Sequence, residues 1–223
     1  MANVAALLYR LHRYREAEIL FLRVLTIEEQ AFGPDHQDVA TFRNNLGSVY
    51  WATGRYELAE QLYRQALKTR EAVLGQRHPI VAESLNNLAS LYAAQGREAD
   101  AELLYRRAVT ISEETMPPDD RMLATALTNW AQLSFERKRY SEAERLSLRA
   151  LAAWERSVGP DHPNLAACLA NHAAILRRLK RKKEATPLEA RARAILASYR
   201  PNPAGLTIDV TLLRSLRRRP GRD

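Results

Sequence analysis

From Asp38 to Thr53 the sequence reads DVATFRNNLGSVYWAT, with apolar residues Val39, Phe42, Leu46, Val49 and Tyr50 at i, i+3, i+7, i+10 and i+11. That spacing lays them on one face of an α-helix. Gly54-Arg55 then predicts a helix stop, and a second helix follows from Tyr56 to Leu74. Its buried stripe is Leu58, Ala59, Leu62, Tyr63, Ala66, Leu67 and Val73. Gly75 closes this helix. Pro79 opens the next one, at a position where the missing N–H is no loss.

The pair repeats. Gly33, Gly75, Pro117 and Gly159 are each 42 residues apart, as are Asn3, Asn45, Asn87, Asn129 and Asn171, and Ala17, Ala59, Ala101, Ala143 and Ala185. Val24, Ala66, Ala108, Ala150 and Ala192 form another column. A period of this length means stacked structural units, and the helical pattern excludes a propeller blade of four short strands. Helix pairs are expected near 3–12/14–31, 37–53/56–73, 79–95/98–115, 120–137/140–157 and 163–179/182–197. The turns at Lys138-Arg139 and Lys180-Arg181 lack the glycine of Gly54 and Gly96, so they are less well favoured. The linker ETMPPDD, Glu114 to Asp120, keeps the length but departs from the Gly-x-x-His pattern. Asn3 already occupies the Asn column. Either the sequence is a segment of a longer array, or the first helix is short and poorly capped.

A lone hairpin of this size cannot bury its stripe, whereas stacked hairpins build a continuous core. The expected fold is therefore all-α, a right-handed superhelical solenoid of about five antiparallel helix pairs. The repeat array is placed at residues 1–197 and a basic tail or capping segment at 198–223. In the tail, Pro201, Pro203 and Gly205 interrupt helix, and Leu206, Val210, Leu213 and Leu216 fall roughly on one face.

The stretch Gly75–Glu113, GQRHPIVAESLNNLASLYAAQGREADAELLYRRAVTISE, resembles the 42-residue unit of tetratricopeptide-repeat proteins of the kinesin-light-chain type. Residues 33–71 and 159–171 match well too, and the resemblance covers about residues 1–197. It implies a non-catalytic interaction scaffold, with the first helix of each pair lining a concave groove that takes an extended peptide or partner protein. On that basis the groove residues are Asn44, Asn45, Trp51, Asn86, Asn87, Asn129, Gln132, Phe135, Asn171, Arg177 and Arg178. An asparagine amide offers both donor and acceptor to a peptide backbone. It can equally bond an adjacent helix and fix repeat spacing. Asn44 and Asn86 share a column with Thr128 and Ala170, a variation that suits ligand contact. Trp51 and Phe135 are candidate aromatic anchors, or aromatics packed between helices.

Composition narrows the rest. His36, His78 and His162 recur once per repeat on a loop, so they do not converge on a metal; a turn role near the next helix start is expected. No nucleophile, phosphate-loop or metalloprotease motif occurs, so neither enzyme, cofactor nor metal is expected. The one cysteine, Cys168, shares a column with Phe42 and Ala126 and reads as a small buried hydrophobe. No membrane span is long enough and no signal peptide is evident, so a cytoplasmic setting is expected; 29 Arg against 5 Lys suggests a GC-rich, bacterial source.

The formal net charge is +8. Residues 177–223 hold 14 Lys+Arg against 4 Asp+Glu, and residues 1–176 hold 20 against 22. The basic excess therefore belongs to the C-terminal end, at Lys180, Arg181, Lys182, Lys183, Arg214, Arg217, Arg218 and Arg219. The alternative function is accordingly a helical repeat that binds nucleic acid through this end, with salt-sensitive affinity.

Overall fold

A computed structural model describes residues 1–199, and Arg214, Arg217, Arg218 and Arg219 lie outside the described residues. Among those described, the regular elements are ten helices. They divide into two compact units, Met1–Thr115 and the part beginning at Met116.

The first unit holds α1 (Ala2–Arg10), α2 (Tyr14–Phe32), α3 (Gln37–Ala52), α4 (Tyr56–Leu74), α5 (Pro79–Ala94) and α6 (Glu98–Thr115). The second holds α7 (Arg121–Glu136), α8 (Tyr140–Val158), α9 (Pro163–Arg178) and α10 (Lys182–Ser198). The five pairs start and stop within about two residues of the boundaries expected from the repeat. In each unit the helices pack in chain order as antiparallel hairpins, and each second helix packs on the next first helix. The fold is an all-α helical-repeat stack.

The packing follows from the small columns. Ala17, Ala59, Ala101, Ala143 and Ala185 are fully buried, as are Ala66, Ala108 and Ala150. A larger side chain there would hold neighbouring helices apart. Around them pack one or two large groups per repeat, among them Phe21, Leu46, Tyr63, Leu85 and Trp154. At Gly47 the backbone comes close to a ring: a Cβ there would stand 2.9 Å from the Tyr63 ring.

The turn within each hairpin needs a left-handed residue, at φ 60 for His12, 78 for Gly54, 75 for Gly96, 59 for Lys138 and 63 for Lys180. The turns lacking glycine keep the same geometry and carry its steric cost. The loops between repeats end in a side-chain cap. The Nδ1 atoms of His36, His78 and His162 accept from the backbone N–H of Asp38, Ile80 and Asn164 at 3.3, 3.2 and 3.1 Å. The departing linker supplies Asp120 at this position, accepting from Met122 and Leu123, and it lies where the two units divide. Asp is a strong helix cap, so the change of residue keeps the function of the column. α1 has no side-chain cap and is nine residues long, against sixteen in α3, α5, α7 and α9.

Candidate functional site

Successive first helices approach directly, α3 with α5 in the first unit and α7 with α9 in the second. This sets them on the closely spaced side of each stack. Along each runs a stripe at i, i+4 and i+7: Thr41, Asn45 and Ser48 on α3; Glu83, Asn87 and Ser90 on α5; Thr125, Asn129 and Gln132 on α7; Ala167, Asn171 and Ala174 on α9. Asn45, Asn87, Asn129 and Asn171 are all half-buried.

The neighbouring column lies deeper. Asn44 is 3% exposed and Asn86 5%. Asn87 donates from Nδ2 to Asn44 Oδ1 at 3.1 Å, a bond between consecutive repeats that engages one amide hydrogen of Asn87. Thr128, in the Asn44 column, accepts from Trp154 Nε1 at 3.0 Å and donates to the Ala124 carbonyl. Asn45 and Asn171 make no side-chain hydrogen bond among the described residues. Trp51 is half-buried at the C-terminal end of α3. Phe135, in the same column, rests against Tyr140 with ring centroids 5.6 Å apart, and Gln132 donates to Glu136 at 2.8 Å.

The basic end is partly neutralised. Arg177 donates twice to Glu189, at 2.5 and 2.7 Å, and that guanidinium holds the Glu189 carboxyl below the usual carboxylate range. Arg181 pairs with both Glu144 and Glu184. Arg178, Lys180, Lys182 and Lys183 are exposed.

Arg181 belongs to a pattern that the sequence shows only as a column, Arg13, Arg55, Arg97, Arg139 and Arg181. Arg55 donates to Glu18 at 2.7 Å through both terminal nitrogens. Arg97 donates to Glu60 at 2.8 Å, with its guanidinium 3.7 Å from the Tyr92 ring centroid. In each case the arginine opening one second helix reaches the glutamate on the second helix of the preceding repeat. Arg70 lies buried in a column that holds Ser112, Trp154 and Leu196 elsewhere. It donates to Ser84 Oγ at 2.7 Å and Thr41 Oγ1 at 3.3 Å, with Glu83 3.9 Å away. Its Nε has no partner.

The described residues contain no cluster of three or more His, Cys, Asp and Glu able to hold a metal, and no helix among them is long and apolar enough to cross a membrane. Stacked helical hairpins joined by one repeated ion pair, with polar stripes on the closely spaced helices, define a helical-repeat scaffold for protein interactions.

The tetratricopeptide-repeat family model matches residues 1–72, 38–114 and 122–198. The chain belongs to that family, and its repeats are of the kinesin-light-chain-like type. Among solved structures it is similar to BtubC (BKLC) from P. vanneervenii, with 25% identity over 92% of this chain and 84% of that one and a TM-score of 0.74. A putative kinesin light chain from Podosopora anserina, with nearly identical TPR-like repeats, shares 22% identity over 90% of this chain and 95% of that one, at a TM-score of 0.70. The fold is also that of the quorum sensor NprR from B. thuringiensis in its apo form, with 16% identity over 89% of this chain and 53% of that one and a TM-score of 0.74. Comparison with curated proteins finds no match.

Proposed function

We propose that this chain is a non-catalytic adaptor that binds an extended peptide of a partner protein along the first-helix stripes of its repeats. The observation that carries this reading is the half-exposed asparagine column on closely spaced helices, above all Asn45 and Asn171, whose amides make no bond within the described residues. An amide so placed can take both the N–H and the C=O of an extended backbone. Trp51 and Asn87 would border a segment bound on the first unit, and Asn129, Gln132, Phe135 and Arg178 one bound on the second, with Trp51 and Phe135 as apolar contacts. Asn44 and Asn86 would act from below by fixing the repeat spacing. The nucleic-acid alternative has less charge to draw on, because Arg177 and Arg181 already hold carboxylate partners.

The test is a displayed-peptide selection against the full chain, followed by affinity measurement. An enriched motif should bind the Asn45→Ala and Asn171→Ala variants at least ~10-fold more weakly, while their thermal unfolding stays unchanged. If no motif is enriched by a folded sample, or if both variants bind as tightly as the parent, the groove reading fails.

A further inference from the structure

Among the stripe positions of the first helices, Glu83 alone is charged; its column otherwise holds Thr41, Thr125 and Ala167. Arg70, on the helix before it, stands where later repeats carry Ser112, Trp154 and Leu196. Both departures fall at the junction of α4 and α5, and they face each other: Arg70 Nη1 is 3.9 Å from Glu83 Oε2. The counterparts at the other junctions are Glu28 with Thr41, Ser112 with Thr125, and Trp154 with Ala167. Opposite charges therefore occupy these two columns together only here.

The two charges are unequally placed. The Arg70 side chain is 3% exposed and that of Glu83 is 39%. Arg70 directs its donors to hydroxyls, Ser84 Oγ at 2.7 Å and Thr41 Oγ1 at 3.3 Å. Glu83 makes no hydrogen bond among the described residues, and its 3.9 Å separation from the guanidinium is too long for one. Arg70 thus draws the carboxylate towards this side of α5 and leaves both its oxygens free to accept. Glu83 also lies one turn from Asn87 on the same helical face, within the polar stripe. Burying a guanidinium costs stability, and the group it serves here is one that faces the groove.

On the adaptor reading proposed above, we infer that Glu83 sets the specificity of the groove in the first unit, and that the extended peptide bound there presents a lysine or arginine side chain to its carboxylate. A peptide cation can meet the Glu83 oxygens at hydrogen-bond distance, while Arg70 stays farther behind, so attraction outweighs repulsion. An acidic side chain does not fit. It would meet the Glu83 carboxylate first, and the guanidinium beneath is buried and already engaged by Ser84 and Thr41.

The probe is a peptide selected from a displayed random library on the full chain, then synthesised with an acetylated N-terminus, so that its cation is a side chain, and followed by fluorescence anisotropy. The enriched motif is expected to hold a lysine or arginine. Changing that residue to glutamine in the peptide, or Glu83→Gln in the chain, should each weaken binding at least ~10-fold. In a double-mutant cycle the two losses should not add, because they remove the same contact. Glu83→Gln keeps the side-chain shape at a half-exposed position, and thermal unfolding checks that the variant stays folded. Additive losses, a motif without a basic residue, or a motif weakened by Asn45→Ala or Asn171→Ala but not by Glu83→Gln would overturn the inference and leave the groove reading standing. No enriched motif, or one that neither asparagine variant weakens, overturns both.

Discussion

The guanidinium of Arg97 donates to the carboxylate of Glu60 at 2.8 Å, joining the second helices of consecutive repeats. Arg55 and Glu18 make the same join one repeat earlier. Burial raises the Glu60 carboxyl, but the Arg97 hydrogen bond and the charges of Arg64 and Arg97 outweigh it, so the group ends below its ordinary value. The Arg55 hydrogen bond lowers Glu18 in the same sense. A depressed carboxyl stabilises the fold above the unfolded pKa of about 4.3 and loses that contribution as pH falls through the folded value. Glu18→Gln should therefore lower stability at neutral pH by up to ~1 kcal/mol and flatten the acid limb of a urea-midpoint against pH curve. An unchanged acid limb would mean the junction pair contributes nothing.

The left-handed column offers a gain. Lys138 and Lys180 sit at φ 59 and 63, where Gly54 and Gly96 hold the equivalent place. A side chain in that region costs roughly 1–2 kcal/mol, and glycine's greater freedom in the unfolded chain takes back part of it. Lys138→Gly and Lys180→Gly should each raise the thermal midpoint, by a net of up to ~1 kcal/mol. Gly54→Lys should lower it. Calorimetry of the three variants checks the signs.

Acid should loosen the second unit through two histidines. His172 is buried with Nδ1 2.6 Å from Ser147 Oγ. Burial pushes its pKa down; Glu144 and Glu184 pull it up and Arg181 pushes it down. His162 is also lowered, by burial and then by Arg121. Once protonated at Nδ1, it can no longer accept from Asn164. With both folded values depressed, the unfolded chain binds more protons, so stability is full above about pH 6.5 and declines as pH falls below it. His172→Leu places the residue of Leu46 and Leu88 in that column and should remove part of the slope between about pH 7 and 5. Ser147 keeps its bond to the Glu144 carbonyl.

Arg70 should prove dispensable. Its charge is buried, its Nε is unpartnered, and burial drives its pKa down. Thr41 and Ser84 each retain a backbone carbonyl to donate to, at Gln37 and Ile80. Arg70→Met should range from neutral to about 2 kcal/mol stabilising, read by chemical denaturation. A large loss would show that the guanidinium network holds α3, α4 and α5 together.

Cys168 is buried and its thiol is pushed up to about 12 by desolvation. The native chain should resist alkylation at pH 8, because the thiolate is the reactive form. Added denaturant should expose the thiol, which makes alkylation a direct reporter of opening around α9.

Much of this was legible in the sequence because the information was periodic. Val39, Leu46 and Val49 mark a buried face by spacing alone, and the helix boundaries followed. The recurring histidines were expected near helix starts, where they cap. The register between repeats was less legible. That Asn44 faces inward while Asn45 lies nearer the surface depends on a rotation of about 100° per residue combined with the tilt between neighbouring helices. Spacing fixes the first and leaves the second open. For the same reason spacing alone does not show that Arg55 meets Glu18, 37 residues away. Arg70 gave no signal, because a single arginine in a variable column reads as a solvent-facing residue.

The Arg–Glu join has a consequence for chain length. Within each unit the arginine of one repeat reaches the glutamate of the repeat before it, so those interfaces are interchangeable. Excising residues 14–55 would leave Arg13 followed by Tyr56 as it is now by Tyr14, with Arg97 still facing Glu60. A protein assembled this way can grow or shrink by whole units while its junction chemistry stays the same, and the surface it offers a partner changes in steps of one hairpin.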